Sequence, residues 1–257
     1  MKDIREINSD LSTNPDLSLI KNYFINKGVP KTNGIVVECG TAQGNYNPSL
    51  YLENVLGWEL LGFEPNPEFW SDLDKNRPNA IKIHKALSDY VGVSDFALAG
   101  DNSSMRHNRV HIEEYGGRPL QHITVPTTTW KEAMAFYHIP FVDLLILDVE
   151  GCEMQVLKGM SGCDVLPDVI MIEYPRSDYD FLLRNDTTKE DFSGFKAIKD
   201  ALSTMGYGFD YIRSANAMFS KHTFWDGRIK PVNWFGSDPS AEHCGYLIYD
   251  QEKCKNI

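Results

Sequence analysis

The feature that most constrains the fold is a short segment at residues 35–44, which reads IVVECGTAQG. In it an apolar run ends in the acid Glu38, followed by Gly40 and Gly44, and a later apolar run, LLGF, ends in Glu64. This order predicts a strand, a glycine-rich turn, a helix and a second strand with a carboxylate at its end. Ligands of open α/β sheets bind at the carboxyl ends of strands, and glycine lets the backbone approach them closely. We therefore expect a ribose-bearing cofactor across Gly40, Gly44 and Glu64.

The spacing of the glycines distinguishes between the cofactors that such a fold binds. A dinucleotide fingerprint, G-x-G-x-x-G, places a helix N-terminus against a pyrophosphate, whereas this chain has E-x-G-x-x-x-G from Glu38 to Gly44. An acid beside the turn repels phosphate and attracts an ammonium group. S-adenosylmethionine carries an ammonium and a ribose but no phosphate, so the pattern favours it over a nicotinamide dinucleotide.

Apolar periodicity predicts the other elements. Strands are expected at 35–38, 58–64, 80–84, 91–98, 123–127, 142–147, 169–172, 208–213, 216–219 and 245–249, and helices around 17–24 and at 46–55, 68–76, 129–137, 153–159 and 195–205. The continuous apolar run at 142–147 is typical of a central strand that is covered on both faces. Strands that alternate with helices imply right-handed crossovers and a largely parallel sheet, hence an α/β fold.

The chain has 257 residues and shows no repeat, low-complexity tract or linker, which predicts one domain over residues 1–257. We expect a helical cap at 1–33, a cofactor-binding core at 34–176, and a part at 177–257 that completes the sheet and forms the acceptor side.

Charge, hydropathy and cysteine content exclude several classes of protein. The formal net charge of −11 argues against nucleic-acid binding, which depends on Lys and Arg. No run approaches the ~20 apolar residues of a membrane span, and the N-terminal segment lacks the apolar core of a signal peptide. The five cysteines are odd in number and lack metal-ligand spacing. These features predict a cytoplasmic protein, and they do not indicate its oligomeric state.

A polar segment at 100–121 contains His107, His111 and several basic residues in an otherwise acidic chain. Long loops inside compact domains are usually functional or disordered. The segment is therefore either a solvated surface loop or a lid that binds phosphate or sugar groups of a small-molecule or glycan acceptor.

In chain order, the segments VVECGTAQGNY, GFEPNPEF, KALSD, DLLILDVEGCEMQVLKGM and VIMIEY resemble the FkbM family of S-adenosylmethionine-dependent methyltransferases. The resemblance covers residues 34–176, and D-V-E-G-x-E followed by V-L-K-G is its most specific part. It implies a class I methyltransferase fold, a Rossmann-like α/β fold with a mostly parallel seven-stranded sheet and helices on both faces. It also implies O-methylation of a sugar hydroxyl in a nucleotide sugar, a polysaccharide or a glycosylated natural product.

The resemblance further implies which residues contact the cofactor. The methionine end would be held by Glu38, Gly40 and Gly44, and the ribose by Glu64. The other implied contacts are Asn66 next to Glu64, Leu87 and Ser88 at the adenine, Ser103 or Ser104 as a cover, and Asp148 near the sulfonium.

Methyl transfer to a sugar hydroxyl requires alignment of oxygen, carbon and sulfur and stabilisation of a developing alkoxide. Asp148, Glu150 and Glu173 follow neighbouring predicted strands, where they can serve as a base, and Asp148 with Glu173 can bind Mg²⁺. His107 or His111 is the alternative general base. Against these roles, Glu150 or Glu153 can instead cap the helix that follows, and a loop histidine is commonly a solvent-exposed bystander.

Two other functions remain open. One is N-methylation of a peptide or a small amine, which needs no metal and would favour an acidic or aromatic acceptor pocket. The other is a non-catalytic cofactor-binding subunit, against which the intact set of strand-end acids and glycines argues.

Overall fold

A seven-stranded sheet forms the centre of the computed structural model. The structure describes residues 23–26, 29–45, 47–106, 120–173, 195–213, 216–226 and 228. The strands are β1 Ile25–Asn26, β2 Val29–Pro30, β3 Ile35–Cys39, β4 Glu59–Phe63, β5 Ile81–Ile83, β6 Ala86–Ser88, β7 Gly92–Leu98, β8 Gln121–Thr129, β9 Val142–Leu147, β10 Pro167–Glu173, β11 Tyr207–Arg213 and β12 Asn216–Lys221. The helices are α1 Pro48–Leu56, α2 Pro67–Asn76, α3 Trp130–Phe136, α4 Glu153–Met160 and α5 Phe195–Thr204, followed by a 3₁₀ helix His222–Trp225.

The strand order of the large sheet is β11-β12-β10-β9-β3-β4-β5. The pairs from β10 to β5 are parallel, and β12 runs antiparallel to both β10 and β11. This order, with one reversed strand next to the edge, is the class I methyltransferase arrangement, so the expected fold class is confirmed. Because β3, β4 and β9 are adjacent and parallel, their carboxyl ends meet at one edge of the sheet.

The middle strands β3 and β9 are buried along their whole length. Alternate residues of β3 enter two separate apolar clusters: Val37 packs with Trp130 of α3, and Val36 packs with Leu52 of α1. Helices therefore cover both faces, as the continuous apolar run at 142–147 predicts. In the part of the chain that the structure describes, no helix combines the length and apolarity that a membrane crossing requires.

The predicted element ends differ from the observed ones by at most two residues where both are described. Local chemistry explains this agreement. Gly57 ends α1 in the left-handed conformation, with φ 67°. Thr129 caps α3 by accepting a hydrogen bond from the Glu132 backbone N–H at 3.3 Å. Most of the predicted cap at 1–33, much of 177–257 and the strand at 245–249 lie outside the described residues.

One part of the topology differs from the expectation. The sequence predicts β7 and β8 as strands but no strand at 86–88, which follow the predicted strand 80–84, whereas these residues form β6 of a second sheet with the order β6-β8-β7. Helix α4 packs closely on β6, since a Cβ placed on Gly159 would lie 2.2 Å from the Ser88 carbonyl oxygen. This contact fixes Leu87 beside the carboxyl edge of the large sheet.

Candidate active site

A cleft opens at the carboxyl ends of β3, β4 and β9. Its empty volume, including space open to solvent, is about 590 Å³. Six residues predicted from the sequence lie together in its lining, namely Gly40, Glu64, Leu87, Ser103, Asp148 and Glu150. The parallel strand ends therefore bring together residues that are far apart in the chain.

The glycine turn approaches the end of β9 closely. Gly40 has φ +86°, and a Cβ placed there would lie 2.1 Å from the Asp148 carbonyl oxygen. The Asp148 backbone N–H donates to the Cys39 carbonyl at 3.1 Å, which holds the two strand ends together. Only glycine satisfies both the left-handed conformation and this contact.

Glu64 is fixed between the glycine turn and α2. One of its carboxylate oxygens accepts the Ala42 backbone N–H at 2.7 Å, and the other accepts the Asn66 backbone N–H at 2.8 Å. Burial raises the pKa of Glu64 to about 7, and these two hydrogen bonds oppose the rise. A carboxylate has about four lone-pair positions, so acceptor sites remain for ligand hydroxyls.

Glu38 lies behind the turn rather than in the cleft lining. The Ser49 hydroxyl donates to its carboxylate, and the Arg77 guanidinium lies 4.0 Å away. Burial raises the pKa of Glu38 to about 7, while Ser49 and Arg77 lower it. The structure thus surrounds Glu38 with protein groups, and a direct contact with the methionine end of a cofactor stays a prediction.

Four other predicted contacts lie behind the residues that line the cleft, namely Gly44, Asn66, Ser88 and Ser104. Asn66 caps α2 by accepting the Glu68 backbone N–H at 3.0 Å. The Ser88 side chain is fully buried.

The segment 99–106 bridges the two sides of the cleft. Ser103, which lines the cleft, accepts a hydrogen bond from the Asn66 side chain at 3.2 Å. On the opposite side, the Ser104 hydroxyl donates to the Glu150 carbonyl at 2.8 Å, and the Arg106 guanidinium donates to the Gly151 carbonyl at 3.2 Å. Of the two serines predicted as a cover, Ser103 therefore faces the cleft and Ser104 anchors the segment.

Carboxyl groups cluster at the ends of β9 and β10. Because Leu147 pairs with Ile172, Asp148 and Glu173 follow at neighbouring positions, and their side chains share a hydrogen bond. Burial, followed by the charge of Glu173, raises the pKa of Asp148 well above its ordinary value. In such a pair one carboxyl keeps its proton and donates a hydrogen bond to the other carboxyl, which accepts it.

The structure separates the roles of two further acids in this region. Glu153 begins α4 and accepts the Gly151 backbone N–H at 3.0 Å, whereas Glu150 lines the cleft in a left-handed conformation with φ 51°. The N-cap residue of α4 is Cys152, whose side chain makes no capping hydrogen bond. Within the described residues, no group of three or more histidine, cysteine or acidic side chains is arranged to hold a metal ion, and Mg²⁺ binding by Asp148 and Glu173 stays a prediction.

Some predicted and some unpredicted residues complete the site. His107 and His111 lie outside the described residues. Lys85 and Asp101 line the cleft although sequence reasoning missed them. The position of Lys85 directly after a short predicted strand was the available signal, whereas Asp101 lies in a segment without periodicity.

Comparison with known proteins identifies a family domain in this chain. Residues 38–209 match the sequence model of the methyltransferase FkbM domain. A curated relative, the hexuronic acid methyltransferase AglP of Haloferax volcanii, is 27% identical over 118 residues. That match covers 44% of this chain and 46% of the relative, so this chain matches less than half of the relative's length.

Solved structures with a similar fold include a fibrillarin of Methanococcus jannaschii, at 16% identity with a TM-score of 0.42, covering 80% of this chain and 74% of that one. Another is a methyltransferase of Thiobacillus denitrificans in complex with S-adenosylhomocysteine, at 12% identity with a TM-score of 0.42, covering 98% and 92%. Because these TM-scores lie below 0.5, the fold assignment rests on the strand order and on the family match.

Proposed function

The chain belongs to the FkbM family of S-adenosylmethionine-dependent methyltransferases, and we propose that it methylates a hydroxyl of a sugar or of a sugar-containing acceptor. The observation that carries the proposal is the charge of the cleft. Among its described lining residues are four carboxylates, Glu64, Asp101, Asp148 and Glu150, and one lysine, Lys85. Such a lining favours a cofactor with a sulfonium and an ammonium over a dinucleotide pyrophosphate.

In this proposal the cofactor lies across the three strand ends. Glu64 would accept its ribose hydroxyls, Leu87 would lie against its adenine, and Asp148 would face its sulfonium. The bound cofactor would supply the methyl group, whose bond to sulfur would break as the bond to the acceptor oxygen forms. The hydroxyl proton passes to a carboxylate at the end of β9, with Asp148 favoured over Glu150 and His107 as the base.

The sugar acceptor is supported by the partial match to a hexuronic acid methyltransferase. N-methylation of a peptide or a small amine is the second candidate, because the described lining of the cleft is acidic and an acidic pocket suits a cation. Family membership supports an enzyme rather than a non-catalytic subunit.

The proposed function is tested with methyl-labelled S-adenosylmethionine and a panel of nucleotide sugars, neutral oligosaccharides and amines. We expect a mass gain of one methyl group in a sugar acceptor. Methylation of amines alone would replace the proposal with the second candidate. If the purified chain shows no binding of S-adenosylhomocysteine by calorimetry, the cofactor assignment itself is wrong.

Cofactor affinity is expected to rise with pH through the pKa of Glu64. Burial raises this pKa to about 7, so the carboxyl is mainly protonated at lower pH and accepts ribose hydroxyls poorly. Since the ionised fraction changes about tenfold per pH unit below the pKa, S-adenosylhomocysteine should bind up to about tenfold more weakly at pH ~6 than at pH ~8. Calorimetric titrations across this range measure the effect. Glu64→Gln should bind weakly with a flat profile, and a flat profile in the wild type would contradict this role for Glu64.

Chelation of metal ions is expected to leave the turnover rate within about twofold of that of the untreated protein. Asp148 and Glu173 share a hydrogen bond, so one of the two carboxyls holds a proton, whereas a carboxyl that ligates a metal ion must be ionised. Activity on the identified acceptor, measured before and after dialysis against EDTA, tests this expectation. A large loss that is restored by added Mg²⁺ would instead assign Asp148 and Glu173 as metal ligands.

We also propose that residues 1–257 form one domain and that the protein works in the cytoplasm. In the described part of the chain, Cys39, Cys152 and Cys163 form no disulfide, which is the expected state of thiols in a reducing compartment.

A further inference from the structure

A buried arginine lies beneath the glycine turn, outside the cleft. Arg77 is the residue at which α2 ends, and its side chain is 1% exposed. A fully buried arginine is rare in proteins unless its charge is paired. The sequence indicates only that the helix ends before Pro78, so this side chain needs a separate explanation.

The Arg77 side chain contacts three elements around the turn. Its Nε donates to the Gly44 carbonyl at 2.5 Å. One terminal nitrogen pairs with Glu53 of α1, and the other donates to the Ser49 hydroxyl at 2.9 Å and lies 4.0 Å from the Glu38 carboxylate of β3. The planar guanidinium with its fixed donors suits such a set of acceptors, whereas an ammonium does not.

The turn itself is held on both sides. On the side of α2, Arg77 holds the Gly44 carbonyl and the Asn76 side chain donates to the Gln43 carbonyl at 2.8 Å. On the side of the cleft, Glu64 accepts the Ala42 backbone N–H at 2.7 Å. A shift of the turn on the α2 side would therefore change its distance from Glu64 on the cleft side.

We propose that Arg77 is a positioning residue that fixes the 40–44 turn, and through it the Ala42–Glu64 contact, in the geometry that binds the cofactor. The inference rests on the proposed function, because it needs the cofactor in this cleft. Arg77 is not among the residues that line the cleft. Its loss should raise the KM for S-adenosylmethionine and leave kcat nearly unchanged.

The test compares two variants, of which only the second loses the contact with the turn. Glu53→Gln removes the ion pair of Arg77 and leaves the bond to the Gly44 carbonyl. Arg77→Met/Glu53→Gln removes that bond together with the contacts of Arg77 with Ser49 and Glu38, and Glu38 keeps its hydrogen bond from Ser49. It leaves neither Arg77 nor Glu53 as an unpaired buried charge, and replacing a buried pair by neutral groups is commonly tolerated. Melting temperature and circular dichroism establish that each variant is folded at the assay temperature.

We expect Glu53→Gln to bind S-adenosylhomocysteine within about twofold of the wild type, even where its melting temperature falls. The double variant should bind S-adenosylhomocysteine about ten- to hundredfold more weakly than the wild type, the range expected for the loss of a charge-assisted hydrogen bond. Its kcat should stay within about threefold of the wild-type value. A purely structural role would lower the melting temperatures and leave the affinity of the folded double variant unchanged, which would overturn the inference. Arg77→Lys, which keeps the charge and loses the Nε donor, should resemble the double variant in affinity if it folds.

The result is separable from the proposed function. If the wild type does not bind S-adenosylhomocysteine, the proposed function fails first. If the wild type binds it and the double variant binds equally well, only the role of Arg77 is wrong.

Discussion

Replacing Asp148 with asparagine is expected to lower kcat by about 10²- to 10³-fold. Asparagine has the same shape but cannot take the proton of an acceptor hydroxyl, and general-base catalysis typically contributes about 10²- to 10⁴-fold. The affinity for S-adenosylhomocysteine should change by less than about tenfold, because in the proposed arrangement Asp148 faces the reacting group rather than the ribose. Single-turnover methylation of the acceptor identified by the panel measures the chemical step separately from product release.

The same variant should not lose stability. The pKa of Asp148 is raised in the folded protein, so its ionisation opposes folding as the pH rises above the pKa of the unfolded chain. Removing the ionisable group removes this cost, and thermal unfolding at neutral pH should show an unchanged or higher melting temperature.

Glu150→Gln serves as the matched control for the base. It removes the other cleft carboxylate at the end of β9 and is expected to reduce kcat by less than about tenfold. If Glu150→Gln abolishes turnover while Asp148→Asn retains it, the base is Glu150. If both retain turnover, neither side chain takes the proton.

Replacing Glu64 with alanine is expected to weaken binding of S-adenosylhomocysteine by about 100-fold or more. The substitution removes the proposed acceptor of the ribose hydroxyls and leaves the backbone N–H groups of Ala42 and Asn66 without their partner. Hydrogen bonds to a charged group contribute about 1.5 to 3 kcal/mol each, so the loss of two or more gives an effect of this size. Calorimetric titration of the folded variant measures it.

Asp101→Asn is the control for the effect of charge alone. It removes one negative charge from the lining of the same cleft and leaves both hydrogen bonds of Glu64 intact. We expect its affinity to fall by less than about threefold. An equal loss in both variants would mean that the net charge of the cleft, rather than the geometry of Glu64, controls binding.

The sequence was informative where residues act through their immediate neighbours in the chain. The apolar run at 142–147 was predicted with the bounds that β9 has, and Gly57 and Thr129 end and begin helices through local hydrogen bonds. Gly40 and Glu64 were predicted to lie in one site because parallel strand ends meet at one edge of a sheet.

Side-chain orientation at the strand ends was harder to predict. Glu38 lies two residues from Val36 on the same face of β3, and that face is covered by α1. Alternation along a strand was readable from the chain, but whether a helix or the cleft lies opposite Glu38 depends on the packing of α1. The partners of Glu38 therefore came from the structure.

The sequence by itself determined the α/β class, the strand and helix positions, and the glycine and acid pattern that indicates the cofactor edge. Only the tertiary structure decided that β6, β7 and β8 form a separate sheet, that Asp148 meets Glu173, and that Arg77 holds a turn from which it is 33 residues distant. The physical reason is the distance along the chain over which each interaction acts. Propensity, capping and turn chemistry act over a few residues, whereas the burial of a charge and the pairing of strands depend on groups that only folding brings together.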